Sequence, residues 1–426
     1  MSQPKPTTAS APESTPDRPS AHRPARRATS GPRIAAAGRT LSIAVIGGSL
    51  VGPAAELFLR RAGFRDVTTY EAMPRAHSQS GGVMGLRGPT IELLESIGLD
   101  RDRIVALPDT AVNAYTVDSG HVSERGTSNF PGQVTSWDAL YAALSQRVDV
   151  VHGHRLTRLC TTDGRYGLSF ANGYEREADV VLFADGRKSA GRVFLDPARR
   201  LTYNGYIVWR GLVDTPTPEP RGFNRYFDIV CGRLFSLTGR LVGAGQSYWE
   251  FSHNLSEAEY TRIAGGRGPT DHAYILPQQV GPAARSVIAA AAHGMPPMFL
   301  DLMAGGTVSG IPVNDAPMPQ RALWTNAGGG VAALLGDALL PVRLQVGAGL
   351  NSGLHHAASF ARSLAASSMD ALHEWESTTL DRFAPWIELG RARAHRNNLG
   401  WYTPVRPGFT AAPTSDQWSE PKWVTA

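Results

Sequence analysis

Cysteine is nearly absent from this chain, which has 2 cysteines in 426 residues. Cys160 and Cys231 are far apart, and neither belongs to a closely spaced pair of Cys or His residues. This scarcity excludes a disulfide framework and a cysteine zinc cluster. We therefore predict a protein of a reducing, cytoplasmic compartment that holds no metal.

Long apolar runs and a strong charge excess are also missing. No stretch reaches the roughly 18 apolar residues of a membrane-spanning helix, so we predict no membrane segment. The 42 Lys and Arg exceed the 37 Asp and Glu by only 5, and much of that excess lies before residue 34, so we predict no nucleic-acid partner. With 42% hydrophobic residues, the chain can bury the core of a globular protein with at least two lobes.

The first 38 residues are rich in Pro, Ser, Thr, Ala and Arg and have few large apolar side chains. Such a composition cannot offset the entropy of ordering, and it lacks the hydrophobic core of a secretory signal. We predict a disordered leader over residues 1–38.

The stretch "SIAVIGGSLVGPAAELFLRRAGFRDVTTYE" (42–71) has the pattern of a strand, a glycine turn, a helix and a second strand. The N–H groups at the start of such a helix favour a pyrophosphate. Ser49 stands where dinucleotide sites usually have their second glycine, and its hydroxyl can donate to a phosphate. Glu71 is placed to accept from a ribose 2′-hydroxyl, which favours FAD or NAD over NADP. The predicted dinucleotide contacts of this unit are Gly47, Gly48, Ser49, Leu50, Gly52 and Glu71.

Two later motifs narrow the choice. "ADGRKSAGR" (184–192) follows an apolar strand, and Gly336-Asp337 ends another before "GAGLN" (347–351). Together with the opening turn, they resemble the class A FAD-dependent aromatic hydroxylases of the p-hydroxybenzoate hydroxylase fold. "GQVTSWDALYAAL" and "LTYNGYIVWRGLVD" are similar to the 2,6-dihydroxypyridine 3-hydroxylase branch of that family.

The resemblance implies an α/β fold in which a Rossmann-like FAD-binding domain is interleaved with a mixed β-sheet substrate domain. The FAD-binding domain would comprise 39–115, 131–198 and 312–370, and the substrate domain 116–130 and 199–311. Residues 371–426 would form a C-terminal helix and tail. A monomer or a homodimer is implied, with a small molecule and O2 as partners.

The resemblance also assigns cofactor residues. Asp337 would bond the flavin ribityl chain, and Gly349, Leu350 and Asn351 would start a helix whose positive end faces the flavin ring. Asp185 would support FAD and nicotinamide, or it is a turn carboxylate that accepts backbone N–H groups. NADH or NADPH would be the co-substrate.

The segment "LLPVRLQ" (339–345) departs from the family pattern. Arg343 fits the branch, whereas Leu344 stands where relatives have a proline beside the flavin and Gln345 where the branch often has a histidine. Trp137 likewise replaces an arginine that contacts FAD in most relatives. Tyr206, Arg210 and His253 are expected on the sheet that covers the substrate, and with Arg343 and Leu344 they are the candidate residues of the reaction.

The resemblance implies a monooxygenase that uses NAD(P)H and O2 to hydroxylate or epoxidise an electron-rich aromatic, heteroaromatic or olefinic small molecule, including those of secondary metabolism. The altered "LLPVRLQ" segment keeps an alternative open, a cyclase or isomerase that uses FAD as a scaffold without net redox change. An NAD-dependent dehydrogenase would explain the first motif but leaves Gly336-Asp337 and "GAGLN" without a role.

Overall fold

The computed structural model describes residues 41–74, 82–271 and 274–401. It contains two large sheets, one mainly parallel and one mainly antiparallel. The predicted leader (1–38) and the tail after 401 lie outside the described residues. The strands are β1 (Ser42–Ile46), β2 (Asp66–Tyr70), β3 (Val83–Arg87), β4 (Ala111–Asp118), β5 (His121–Asn129), β6 (Gly132–Ser136), β7 (Leu156–Thr162), β8 (Arg165–Phe170), β9 (Glu175–Ala178), β10 (Val180–Phe183), β11 (Thr202–Val213), β12 (Phe223–Asp228), β13 (Arg233–Arg240), β14 (Ser247–Asn254), β15 (Ser309–Asp315), β16 (Leu323–Thr325) and β17 (Val331–Leu334). The helices are α1 (Val51–Arg61), α2 (Gly88–Ser96), α3 (Arg101–Ile104), α4 (Trp137–Ser145), α5 (Ala190–Leu195), α6 (Glu257–Ile263), α7 (Pro282–Ala291), α8 (Pro297–Gly305), α9 (Gly349–Ala365) and α10 (Met369–Arg396).

The first sheet has the strand order β16-β17-β10-β1-β2, and β17, β10, β1 and β2 run parallel. Residues 42–46 and 180–183 are buried throughout, as expected for parallel strands that are covered on both faces. The predicted strand–turn–helix–strand unit is β1-α1-β2, with Pro53 in the first turn of α1, where its missing N–H has no intrahelical partner. Parallel strands align their carboxyl ends, so the turns after β1, β10 and β17 lie along one edge.

The second sheet has the order β15-β11-β14-β13-β12-β4-β5 and is antiparallel except for the pair β12 and β4. Its residues alternate between two faces. Trp209, Trp249 and Phe251 pack in a core with residues of α6, α7 and α8. Their neighbours Arg210 and Glu250 point to the opposite face, which lines a cavity.

The division into two domains stays a prediction, but the strands show where its limits fall. β4 and β15 belong to the second sheet over their whole length, and the predicted limits at 115 and 311 fall inside them. A strand pairs as a unit, so a limit drawn from motifs alone can cut through it.

Two C-terminal helices complete the described chain. α9 packs on α1 and on the turn after β17, where Gly353 has no Cβ and its Cα lies close to Gly336. The indole N–H of Trp375 in α10 donates to the carbonyl of His356 in α9, at 3.2 Å. Within the described ranges, no helix combines the length and the apolar character that a bilayer crossing requires.

Candidate cofactor and substrate site

The turn after β1 accepts only glycine at two positions. A Cβ on Gly47, whose φ is +113°, would lie 2.4 Å from the carbonyl oxygen of Ala184, and one on Gly52 would lie 1.8 Å from the oxygen of Gly47. Both distances are far below van der Waals contact. The chain therefore turns directly from β1 into α1, whose first N–H groups have no partner within the helix.

Glu71, immediately after β2, holds this turn. Its carboxylate accepts the N–H of Gly48 at 2.7 Å and the N–H of Met73 at 2.8 Å. The contact of Glu71 with a ribose stays a prediction, and the structure adds a role in positioning the turn. Sequence reasoning did not anticipate this role.

The two departures from the family pattern near the turn contact each other. The indole N–H of Trp137, at the start of α4, donates to the hydroxyl oxygen of Ser49 at 3.0 Å. Trp137 also stacks on Tyr141, with ring centroids 4.4 Å apart. Because the Ser49 oxygen accepts from the indole, its own proton is available to an acceptor in the cavity.

The turn after β10 is built around Asp185. Its buried carboxylate accepts the N–H groups of Ala190 and Gly191 at 2.7 and 3.2 Å, and burial raises its pKa above the usual value. Ser189 caps α5 by accepting the N–H of Arg192 at 2.9 Å. These contacts match the turn-carboxylate interpretation of Asp185.

The second motif is tied to the third by arginines. The Arg192 guanidinium donates to the carbonyl of Ala338 at 3.0 Å, and Arg187 forms an ion pair with Asp337 at 3.3 Å. The spacing of Asp185, Ser189 and Arg192 in this motif thus has a structural cause. Arg192 holds the turn after β10 against the turn after β17.

The N-terminus of α9 is fixed by Asn351. Its side chain accepts the N–H of Arg87 at 3.0 Å and donates to the carbonyls of Gly85 and Gly347, at 2.8 and 3.1 Å. The preceding Gly347 has a φ of +67°. Gly349 and Leu350 line the cavity, whereas Asn351 lies behind them and attaches α9 to β3.

His355 and His356 in α9 are not arranged for a metal. The ring Nδ1 of His356 accepts the N–H of Gly336 at 3.1 Å, and burial lowers the pKa of His356 to about 3 and that of His355 to about 4. In the part of the chain that is described, no three His, Cys, Asp or Glu side chains cluster as a metal site would require.

A cavity of about 330 Å³ lies between the edge formed by these turns and the second sheet. We call one side the turn wall, made of Ser49, Leu50, Asp337, Gly349 and Leu350. The other side, the sheet wall, consists of Arg210, Arg225, Ser236 and Glu250. Arg343, Leu344 and Gln345 lie between the two walls. Of the predicted site residues, those that do not line the cavity are Gly47, Gly48, Gly52, Glu71, Asp185, Asn351, Tyr206 and His253.

Arg343 and Tyr206 are buried next to each other, and the guanidinium carbon of Arg343 lies 5.8 Å from the centroid of the Tyr206 ring. Arg343, only 2% exposed, pairs with Asp315 through two hydrogen bonds of 3.0 and 2.7 Å. Arg391 also approaches Asp315, at 3.3 Å, and the two guanidinium groups lower the pKa of that carboxyl. Because it is buried, Tyr206 has a pKa raised to about 12, so its hydroxyl is protonated.

The Tyr206 hydroxyl donates to Oε1 of Gln345 at 3.1 Å. This bond turns the amide nitrogen of Gln345 away from Tyr206. That nitrogen is buried and has no hydrogen-bond partner among the residues described. Gln345 therefore offers a donor to a molecule in the cavity, at a position that the sequence marked only as a departure from the family.

His253 lies on the face of the second sheet that is turned away from the cavity. Its Nε2 accepts the indole N–H of Trp209 at 2.9 Å, and its Nδ1 lies 2.8 Å from the carbonyl of Asn254. Burial lowers the pKa of His253 to about 4. Ser252 lines the cavity, and the two-residue period of a strand places His253 on the other side.

Sequence reasoning missed the residues of the sheet wall other than Arg210. Ser236 and Glu250 each stand between apolar residues, in "FSL" and "WEF", whereas Arg225 follows Asn224 within "FNRYF". An isolated polar residue in an otherwise apolar strand is the signal that could have found Ser236 and Glu250, and the sequence offers no such signal for Arg225.

Known proteins share this architecture and part of this sequence. No protein-family model matches the chain. The chain is 31% identical to the 2,6-dihydroxypyridine 3-monooxygenase of Paenarthrobacter nicotinovorans over 178 residues, which are 40% of this chain and 43% of that enzyme. The match thus spans less than half the length of this curated relative.

Solved structures match over more of the chain. The 2,6-dihydroxypyridine-3-hydroxylase from Arthrobacter nicotinovorans superposes with a TM-score of 0.74 at 23% identity and covers 90% of this chain and 99% of its own. Klebsiella pneumoniae HpxO, solved with FAD and uric acid, gives a TM-score of 0.67 at 19% identity over 84% of this chain and 88% of its own. The chain therefore has the p-hydroxybenzoate hydroxylase fold of FAD-dependent monooxygenases, and its relatives include the 2,6-dihydroxypyridine 3-hydroxylase that its motifs indicated.

Proposed function

We propose that the chain is a FAD-dependent monooxygenase that uses NAD(P)H and O2 to hydroxylate an electron-rich aromatic or heteroaromatic small molecule. The observation that carries the proposal is the convergence of three turns, after β1, β10 and β17, on one cavity that a polar sheet closes from the other side. We extend the proposal to olefinic substrates and to a cytoplasmic monomer or homodimer.

The residues of the turn wall fit FAD. The glycines at 47 and 52 bring the backbone N–H groups of the turn and the start of α1 to the cavity edge, where a pyrophosphate would be held together with the Ser49 hydroxyl. Asp337 would accept from the polyol chain, and the N-terminus of α9 would face the flavin ring. FAD, when bound, supplies hydride acceptance from NAD(P)H and the activation of O2.

The chain's own residues would exclude water and position the substrate. The apolar residues Val208, Phe223 and Leu234 line the cavity beside the sheet wall, and they would make the surroundings of the reacting atoms less polar. Gln345, oriented by Tyr206, would donate to a substrate oxygen. Arg343 would hold the segment 339–345 in place through Asp315, because its Nε and Nη2 both donate to that carboxylate.

The alternative without net redox change has less support. Two of the three proteins reported above are named as a monooxygenase and a hydroxylase. A dehydrogenase that uses the first motif alone would leave the Arg187–Asp337 and Arg192–Ala338 contacts without a function in the site.

The test measures oxygen incorporation. Purified protein should be yellow, with flavin absorbance near about 450 nm, and should oxidise NAD(P)H when a ring substrate is added. Product mass after turnover with isotopically labelled O2 should show one labelled oxygen atom. Turnover under nitrogen without a nicotinamide would support the scaffold alternative instead, and colourless protein that binds NAD would support the dehydrogenase.

A further inference from the structure

We propose that Trp137 is a positioning residue for the cofactor, because its indole N–H orients the Ser49 hydroxyl to donate to the pyrophosphate of FAD. The pair forms a relay of two hydrogen bonds, from the indole to the hydroxyl and from the hydroxyl to a phosphate oxygen. This inference rests on the proposed function, since it concerns the cofactor of the same site.

Ser49 is the side chain that the turn after β1 presents to the cavity. It is exposed, whereas its neighbours Gly48 and Leu50 are buried. A glycine at the second position of such a turn lets the backbone approach the pyrophosphate closely, and a serine does not, because its Cβ and hydroxyl stand in between. The hydroxyl is thus the group that this turn offers in place of the close backbone approach.

Three contacts fix the indole of Trp137. Its backbone N–H donates to the carbonyl of Gly82 at 2.8 Å, and Ser136 caps the helix that begins with Trp137. The ring stacks on Tyr141, one turn further along α4, with an angle of 11° between the two ring planes. The indole N–H is therefore held toward the hydroxyl oxygen of Ser49, 3.0 Å away.

The direction of the relay follows from its first member. An indole nitrogen can only donate, so the Ser49 oxygen accepts in this bond, and the single proton of the hydroxyl points away from Trp137. A hydroxyl that accepts one hydrogen bond is a stronger donor in the next, and a bond to an ionised phosphate belongs to the strong, charge-assisted class. The indole would thus strengthen the binding of a phosphate that it does not contact.

This part of the cavity is lined by uncharged residues among those that the structure describes. Leu50 and Val51 line it beside Ser49, and Trp137 itself is uncharged at the position where most relatives have an arginine. The arginines that line the cavity belong to the turn after β10, the segment 339–345 and the sheet wall. The N–H groups at the start of α1 and the relay would therefore meet the charge of the pyrophosphate.

The experiment is a double-mutant cycle on the affinity for FAD. FAD is removed from the full-length chain, and its binding to Trp137→Phe, Ser49→Ala and the double variant is measured by fluorescence titration. Phenylalanine keeps a ring beside Tyr141 but lacks the N–H, and alanine lacks the hydroxyl. We expect each single variant to bind FAD about five- to tenfold more weakly than the parent chain. The double variant should lie within about twofold of the weaker single variant, because both substitutions break one relay.

Two controls remove the same groups elsewhere. Ser145→Ala removes a hydroxyl at the other end of α4, which donates to the carbonyl of Tyr141 and does not line the cavity. Trp324→Phe removes an indole N–H in β16, also outside the cavity lining. Both should bind FAD like the parent chain. An unchanged affinity in Ser49→Ala or Trp137→Phe, or losses that add up in the double variant, would overturn the proposal.

A second variant tests position 137 if Trp137→Phe does not fold. Trp137→Arg puts a cation where the relay begins, and salt screens the attraction between such a charge and a phosphate. Its affinity for FAD should therefore fall at least about threefold more than that of the parent chain when NaCl is raised from about 0.05 to 0.5 M. The same salt dependence in both proteins would show that position 137 takes no part in phosphate binding.

The outcomes separate this proposal from the proposed function. A cycle without coupling, in a chain that binds FAD and incorporates labelled oxygen, would refute the relay alone. Coupling in a chain that binds FAD but incorporates no labelled oxygen would refute the monooxygenase and leave the relay standing.

Discussion

The two walls of the cavity use different parts of the polypeptide. The turn wall depends mainly on backbone geometry, because the turn behind it has glycines at 47 and 52, where a side chain cannot fit, and because α1 and α9 start at this wall. The sheet wall presents side chains, which project from strands whose other face is packed on helices. A backbone surface tolerates almost no substitution at its close contacts, whereas a side-chain surface can change its chemistry without changing the fold.

The strongest way to break the turn wall is to add one methyl group. We expect Gly52→Ala to destabilise the protein by about 3 kcal/mol or more and to abolish FAD retention, because the new Cβ would lie 1.8 Å from the oxygen of Gly47. Thermal unfolding and bound flavin report both effects. Gly88→Ala is the control, since apart from its chain neighbours and its own helix no atom lies within 4 Å of its Cβ position, and it should be nearly neutral. A Gly52→Ala protein with normal flavin content would show that the turn can open.

Removing the cation beside Asp315 tests how much the buried Arg343–Asp315 pair stabilises the protein. Arg343→Met should cost about 3 kcal/mol at neutral pH, because it takes one of two guanidinium groups from a buried carboxylate. Urea unfolding measures the change. The control Arg240→Met breaks an exposed pair with Glu219 and should cost less than about 1 kcal/mol. If Arg343→Met and Arg240→Met lower the unfolding free energy equally, burial does not make the Arg343–Asp315 pair the more stabilising one.

The same ion pair predicts a pH dependence. The folded state lowers the pKa of Asp315 below its ordinary value of 3.8, so the stabilisation is complete above that value and is lost as the pH falls through the folded pKa. The difference in unfolding free energy between the parent chain and Arg343→Met should therefore narrow below about pH 4. A constant difference from neutral to acid pH would exclude the Asp315 charge as its cause.

A charge reversal tests the role of Glu71. Glu71→Lys removes the acceptor for the Gly48 N–H and puts a cation beside it, so we expect FAD binding to weaken by about 1–3 kcal/mol. Glu71→Gln keeps an acceptor and should lose less. Equilibrium dialysis of released flavin gives both affinities, and full occupancy in Glu71→Lys would refute the ribose assignment.

The smallest expected effect concerns the Tyr206 hydroxyl, which orients Gln345 at the cavity. Tyr206→Phe removes the bond that orients Gln345, and kcat/KM should fall by about five- to tenfold, or about 1 kcal/mol. Flavin content should not change, which separates a positioning role from a structural one. Gln345→Glu keeps the size but removes the donor and should produce a similar loss. Unchanged kinetics in both variants would show that the amide does not contact substrate.

The turn wall could be predicted from the sequence because the constraints on it are local. β1, the glycine turn, α1 and Glu71 lie within 30 residues, and each motif names a backbone geometry that few sequences can adopt. Asp185 illustrates the limit of this reasoning. The pattern left a cofactor role and a turn role open, and only the bonds to Ala190 and Gly191 show how its carboxylate is used.

By itself, the sequence determined the parallel sheet edge, the three turns and the family resemblance, since these depend on residues close in the chain. Only the tertiary structure decided which side chains meet across strands. Arg225 and Glu250 share a wall although 25 positions separate them, and His253 lies on the opposite face from Arg210. The physical reason is register, because the pairing of distant strands sets which alternate residues share a face, and a shift of one residue would exchange the two faces.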